Sequence, residues 1–355
     1  MLEQALLPEV LVPFVREITG GTTAIVETMV GDASTRRYHR VRIRGGSPES
    51  VVIMELPDEP LKSEEATAGA VPPELPFLNV QRYLAAGAIP VPRVYKADMA
   101  RGLVALEDLG DRTFESVVTN GSRPERQRFY RAAIEHIVQI QALGRRNKAA
   151  DCIAFSRRFD RTLLRWELDH FREWYLEAER GAKLADTERA DLDAAFDWLA
   201  GTLANLPVVL VHRDFQSRNL MVVGGGRDVP PQLRVIDFQD ALLGTEAYDL
   251  VALLRDSYVV LAPDELDELV GAFVRAAGLT DEAGFRRLFL LQTLQRKMKD
   301  IGRFIFIDRV RKNPSFLRWI PATAGYIRQA MAQAPAEFAP VARILARHAP
   351  ELLES

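Results

Sequence analysis

The stretch Val211-His212-Arg213-Asp214-Phe215-Gln216-Ser217-Arg218-Asn219, followed after a short gap by Val235-Ile236-Asp237-Phe238-Gln239, constrains this chain more than any other. Short apolar runs read as strands, Val208–Val211 ahead of Asp214 and Leu233–Ile236 ahead of Asp237, with Asn219–Val223 between them. A strand end aims the next side chain in a fixed direction, and Asn219 stands far enough beyond Asp214 for the loop to return. One carboxylate can orient an alcohol and take its proton. An amide oxygen and a second carboxylate are the hard oxygen ligands that Mg²⁺ prefers. Asp214 is therefore the expected general base, and Asn219 and Asp237 are the expected ligands of a Mg²⁺ ion.

Periodicity divides the chain. Thr23–Met29, Tyr38–Arg44 and Val51–Leu56 alternate or are β-branched, and Gly45-Gly46-Ser47-Pro48 reads as the turn between the last two. Asp58 to Pro76, rich in Pro, Glu and Ala, reads as a mobile loop. Phe77–Ala86 has helical spacing and stops at Gly87, and Val94-Tyr95 and Leu103–Leu106 are further strands. Beyond Gly110 long helical patterns take over: Arg123–Leu143, Ser156–Arg180, Glu188–Leu203, Ala247–Asp256, Asp264–Ala277 and Asp281–Phe304. A length of 355 residues exceeds one usual core. The expected fold class is α+β and bilobal, with a small β-rich lobe at 1–107, a connector near Glu107–Gly110 and a larger, mainly helical lobe at 108–355.

Charge excludes some partners. The 46 basic residues are outnumbered by 49 acidic ones, so the basic excess of nucleic-acid binders is missing. No apolar run approaches the roughly 18 residues of a membrane span. Met1–Gly20 carries Glu3, Pro8 and Glu9 among its apolar residues and lacks a basic n-region, so it reads as an amphipathic helix and not as a secretory signal. Cys152 is the one cysteine, which excludes an internal disulfide and suits a reducing compartment. A cytoplasmic monomer without nucleic-acid or membrane partners is expected.

The two acidic motifs match the protein-kinase pattern H-R-D-x-x-x-x-N and D-F-x. In that pattern His212 braces the loop, Arg213 either pairs with a carboxylate or braces it too, and Asp249 buttresses the loop from a helix. Gly31-Asp32-Ala33-Ser34-Thr35-Arg36-Arg37 lies between two strands, where small residues let backbone N–H groups approach phosphates. Alone it also fits an ordinary hairpin; in this position Ser34, Thr35 and Arg36 become phosphate donors. Main-chain groups at Glu107 and Leu109 can read an adenine edge, which is compatible with a plain connector. The third-strand lysine of protein kinases is replaced by Met54, and Phe77–Ala86 contains no glutamate to pair with one. Arg36 or Arg40 is the candidate replacement cation. Gln239 stands where D-F-G has glycine, which points to a constitutively active enzyme.

His212–Met221 and Ile236–Ala241 resemble the aminoglycoside phosphotransferase family of small-molecule kinases. More narrowly, with Gly31–Arg40 and Leu106–Gly110, they resemble the bacterial anomeric kinases of N-acetylmuramate and N-acetylglucosamine that serve cell-wall recycling. The resemblance implies ATP-dependent phosphorylation of the C1 hydroxyl of an N-acetylated amino sugar to a sugar 1-phosphate. The alternatives are another kinase of this superfamily, acting on an aminoglycoside, choline or a hydroxy amino acid, and a non-catalytic nucleotide-binding fold, suggested by Met54.

On the acceptor side, Gln216, Gln239 and Asp240 stand beside the expected catalytic residues. Trp166, Phe171, Trp174 and Tyr175 alternate with Asp160, Glu167 and His170, an arrangement that serves either a packed core or sugar stacking. Glu167 and His170 share a helix face. Leu291, Leu294, Met298 and Ile301 form one face of the last pattern. Gln292, Gln295, Arg296, Lys299 and Arg303 lie opposite and read as a solvated face from which Arg303 can meet a substrate carboxylate.

Overall fold

Alternating residues near the start of the chain pair as antiparallel strands, and helices dominate after Gly110. The computed structural model describes residues 11–21, 24–29, 36–57, 74–225 and 230–354. Ser34, Thr35 and nearly all of the loop expected from Asp58 lie outside the described residues. The chain begins with α1 (Leu11–Thr19), β1 (Ala24–Met29), β2 (Arg37–Ile43) and β3 (Ser50–Glu55), then α2 (Pro76–Ala86), β4 (Val94–Asp98) and β5 (Leu103–Glu107). Helices α3 (Phe114–Asn120), α4 (Arg123–Arg146) and α5 (Arg161–His170) follow, then a π-helix at Phe171–Glu179 and α6 (Asp186–Ala204). The motif region forms β6 (Val209–Val211), β7 (Leu220–Val223), β8 (Gln232–Val235) and β9 (Leu242–Gly244). The remaining helices are α7 (Tyr248–Leu254), α8 (Pro263–Ala276), α9 (Glu282–Arg311), α10 (Ile320–Met331) and α11 (Ala339–His348).

Contacts divide the chain into two compact units that do not correspond to one cut in the sequence. The first takes the described residues of Met1–Val71 with Pro90–Arg112 and Met221–Ile236; the second takes the rest. In the first unit the strands form one antiparallel sheet in the order β1-β2-β3-β5-β4. Gly45, at φ 70°, makes the β2–β3 turn in a backbone region open mainly to glycine. Alternation sends Val41, Val51, Ile53 and Leu103 to one face, where Leu11, Phe14 and Val15 of α1 cover them. Tyr38 pairs with Met54 and Arg40 with Val52, and Met54 is buried.

The second unit is helical, with a core drawn from α5, the π-helix, α6, α9, α10 and α11 around the β6–β9 pair. Three expectations change here. The helix expected over Ser156–Arg180 is interrupted at its start. Phe159 N donates to Leu243 O (2.9 Å) and Leu243 N to Arg157 O (3.0 Å), so this segment runs extended along β9. Asp160 then caps α5 by accepting from Leu163 N at 2.8 Å. The last long helix continues past Phe304 to Arg311 and stops where Lys312 turns left-handed, at φ 56°. Its polar face is largely withdrawn from solvent: Gln292, Gln295 and Arg296 are buried and Lys299 and Arg303 half-buried, because α9 is enclosed by α5, the π-helix, α7 and α10. Among the described residues no helix is long and apolar enough to cross a membrane.

Where α9 crosses the junction of α5 and the π-helix, the two backbones nearly touch. A Cβ built on Gly302 lies 2.3 Å from the carbonyl oxygen of His170. Backbone cannot give way as a side-chain tip can. Gly302→Ala is expected to cost about 2 kcal/mol of stability by overpacking, measured by urea unfolding; an unchanged midpoint would show that the helices can part freely.

Candidate active site

The loop after β6 is built on two buried carboxylates. His212 N and Arg213 N donate to the two oxygens of Asp249 at 2.7 and 3.0 Å. Asp249 lies in the first turn of α7. Burial pushes its carboxyl up despite the two amides and His212. The grip secures a strained turn, since Arg213 has φ 81°, costly for a residue with a side chain. Further along, Ser217 N donates to Asp256 at 2.8 Å, and Tyr258 N binds the other oxygen at 2.9 Å. Inside the loop, Asp214 N donates to His212 Nδ1 (3.2 Å) and Gln216 N to Asp214 O (2.8 Å). Asp249 and His212 thus occupy the bracing positions read from the sequence. Arg213 does both things expected of it as alternatives, bracing the turn while its Nη2 lies 3.6 Å from Glu167.

Asp214, Asn219 and Asp237 are brought together. Asn219 Nδ2 donates to Asp214 O at 2.8 Å and to Asp237 Oδ2 at 3.3 Å. Asp237 is exposed and left-handed (φ 66°), and Gln239 Nε2 donates to its Oδ1 at 2.8 Å. The buried Phe238 anchors this turn by stacking on Phe77 of α2, with centroids 5.0 Å apart. With the Asn219 nitrogen engaged, its amide oxygen remains to face a cation beside the Asp237 carboxylate. That pair fits a hard ion which fills its other positions with water and phosphate oxygens. Among the described residues no group of three or more His, Cys, Asp or Glu side chains forms a protein-only metal cage.

The electrostatics differ from carboxylate to carboxylate. Burial by itself would raise Asp214, but the charges of Arg296, then Lys299 and Arg213, outweigh it and hold the carboxyl at about 2. Its side chain remains 35% exposed, so it is ionised and reachable at neutral pH. Asp240 goes the other way: burial, and the neighbouring Asp214 and Asp237, push it up against the pull of Arg213. Arg157 Nη1 lies 3.7 Å from Asp240, and its Nη2 donates to Gln239 O at 3.3 Å.

The other residues singled out from sequence divide into groups. Gln216 is half-buried in the loop. Glu167 has no exposed surface; its Oε2 accepts from Gln295 at 2.6 Å, and a buried relay continues through Gln292 to Thr245. His170 and Arg303 meet around the ring of Phe306, at 5.9 and 4.7 Å, and Trp174 packs on the same ring at 5.1 Å. In the first unit, Arg36 is half-buried just before β2. Arg40 is held by Asp108 (2.8 Å) and Asp111 (2.9 Å). Glu107 accepts from Arg93 N at 3.1 Å, and the half-buried Leu109 precedes Gly110, which is left-handed at φ 74°. Sequence reasoning missed Arg157 and Asp256, which stand in no motif. It placed Arg296 on a solvated face, since a buried polar stripe and a wet one have the same period.

Asp249→Asn keeps the shape but presents an N–H₂ to one of two backbone donors. A loss of about 1–3 kcal/mol is expected from the amide left unpaired, read from urea unfolding. Wild-type stability would remove Asp249 as the brace.

Comparisons with known proteins bear on the family and the fold. The family described as "Phosphotransferase enzyme family" matches residues 30–289. The N-acetylmuramate/N-acetylglucosamine kinase of Neisseria meningitidis serogroup B is 32% identical over 323 residues, 88% of this chain and 87% of that protein. The kinase of the same name from Pseudomonas putida is 30% identical over 324 residues, 89% of this chain and 86% of that protein. Among solved structures, the ADP-bound aminoglycoside phosphotransferase APH(2'')-Ib superposes with a TM-score of 0.55 at 13% identity, covering 90% of this chain and 97% of that one. The fold is the bilobal protein-kinase-like fold, with a small β-rich part and a larger helical one.

Proposed function

The chain belongs to the phosphotransferase enzyme family, and from that premise we propose that it is an ATP-dependent amino-sugar kinase acting in the cytoplasm. The acceptor is the anomeric hydroxyl of N-acetylmuramate, N-acetylglucosamine or both, and the product is the sugar 1-phosphate. The observation that carries this reading is the hydrogen-bonded convergence of Asp214, Asn219 and Asp237. The acceptor class rests on the two kinases that share about nine-tenths of this chain's length.

Asp214 accepts a hydrogen bond from the acceptor hydroxyl and points its oxygen at the γ-phosphorus. A carboxyl held at about 2 is a weak base. It orients the nucleophile first and takes the proton late, as a loose phosphoryl-transfer transition state allows. Asp237 and the Asn219 amide oxygen would hold Mg²⁺, which supplies charge neutralisation on the transferring phosphate. The donation from Gln239 to Asp237 fixes the direction of that carboxylate.

For the nucleotide, Ser34, Thr35 and Arg36 supply phosphate donors, and main-chain groups at Glu107 and Leu109 read the base. The guanidinium of Arg40 is already shared by two carboxylates. This supports Arg40 as the residue that shapes the Asp108–Asp111 turn, and Arg36, just before β2, as the candidate phosphate cation. For the sugar, Gln216, Gln239 and Asp240 offer hydrogen bonds beside Asp214. Arg303, over the ring of Phe306, offers a cation suited to a lactyl carboxylate, and the buried His170 backs the same ring from the side. Glu167 supports the site from below through Arg213 and Gln295.

The test is incubation with Mg-ATP and a panel of amino sugars, aminoglycosides and choline, read by phosphorus NMR. An anomeric phosphate is expected; a ring-hydroxyl phosphate or transfer only to an aminoglycoside or choline overturns the acceptor. Asp214→Asn should lower kcat by about 10³-fold, within the range of a general base, while ATP still binds in calorimetry; full turnover would end the assignment. Arg303→Ala should raise the KM for N-acetylmuramate about tenfold more than that for N-acetylglucosamine, the scale of one charge-assisted contact. Equal changes would remove Arg303 from substrate selection.

A further inference from the structure

Arg296, in the middle of α9, is completely buried, with its charge turned toward the loop that carries Asp214. Nη1 donates to the carbonyl oxygen of Arg213 at 2.9 Å, and Nη2 donates to Asp214 Oδ1 at 3.2 Å. Nε lies 4.0 Å from Asp300, and the ring of Tyr248 lies beneath the guanidinium with its centroid 5.0 Å away. Asp300 is shared: the equally buried Lys297 donates to it at 2.6 Å, and Lys299 lies 3.5 Å away. Two acids and several cations are thus packed into one interior patch.

Taking a guanidinium and its carboxylates out of water costs several kcal/mol, and a whole buried ion pair replaced by apolar side chains of similar volume is often as stable. Stability is therefore a poor account of this arginine. The two atoms it holds are better guides. One is the carbonyl of the left-handed residue immediately before Asp214, and the other is an oxygen of Asp214 itself. A rigid planar fork that grips both main chain and side chain fixes the carboxylate against its own backbone. With Oδ1 bound to Arg296, Oδ2 is the oxygen left for a substrate.

We propose that Arg296 is a positioning residue for the reaction: it locks the rotamer of Asp214 so that Oδ2 alone is presented to the acceptor hydroxyl. The inference rests on the reading of Asp214 as the base and names the part that orients it. A lysine carries the charge but not the fork, so it can satisfy one partner at a time. The aligned fraction of Asp214 falls when Arg296 is replaced, and binding of ATP or sugar does not, since Arg296 has no exposed surface with which to touch either.

The experiment measures kcat, both KM values and thermal unfolding for wild type, Arg296→Lys, Arg296→Met and Asp214→Asn, and for the double variant Arg296→Met with Asp214→Asn. Arg296→Met is expected to lose about 100-fold in kcat, the scale of a misplaced catalytic group. Both KM values should stay within about threefold, the signature of an effect confined to the transition state. In the Asp214→Asn background the same change should cost less than about threefold, because residues that act as a unit are not additive. If Arg296→Met does not fold, Arg296→Lys decides, with a kcat loss of at least about tenfold expected by the same reasoning. Wild-type kcat in a folded Arg296 variant, or an undiminished loss on top of Asp214→Asn, overturns the inference alone. A wild-type chain that phosphorylates no sugar overturns the function first, and this inference falls with it.

Discussion

Two consecutive backbone amides donating to one buried carboxylate, His212 and Arg213 to Asp249, hold the rest of the site in place. The loop must reverse sharply after β6, and it does so through a left-handed arginine. Such a conformation persists only when its surroundings over-determine it. Asp249 supplies that determination from α7, and Asp256 repeats the device at Ser217. The reversal turns the Arg213 carbonyl inward to Arg296 and Asp214 outward, and it starts the turn that returns Asn219 to Asp237.

Beneath this loop, α9 contributes polar groups where a core helix ordinarily contributes methyls. Gln292, Gln295, Arg296 and Lys297 are buried and hydrogen-bonded to partners on α5, the loop and α9 itself, with Arg296 Nε and Glu167 Oε1 left without a hydrogen bond. Buried polar networks with most members paired are stiff, because each further bond lost would cost more than the bond is worth. Rigidity matters here because catalysis of phosphoryl transfer is mostly alignment and charge placement. The net positive field of the patch keeps Asp214 ionised while neighbouring Asp240 is pushed toward its neutral form.

The first unit solves a different problem. Where protein kinases carry the strand lysine, Met54 is packed as a buried apolar residue. The cation on the adjacent strand, Arg40, is neutralised by Asp108 and Asp111 in the segment that follows β5. That pairing ties β2 to the Glu107–Gly110 connector, whose backbone turns at Gly110.

Spacing determined a good deal. His212 to Asn219 and Asp237 could be read as one site because a strand, a turn and a strand end leave few directions for three short side chains. The strands of the first unit, though not their pairing, and the approximate extents of α2, α4, α6 and α8 followed from period alone. Tertiary structure decided which polar residues face water. Arg296 has the sequence pattern of a solvated position and is completely buried, since the same 3.6-residue repeat describes a wet face and a face enclosed by other helices. It also decided the break before α5, where Arg157–Phe159 pairs with a strand, β9, more than eighty residues away. Local pattern records what a segment prefers. Enclosure depends on what the rest of the chain brings against it, and that information is spread over residues far apart in the sequence.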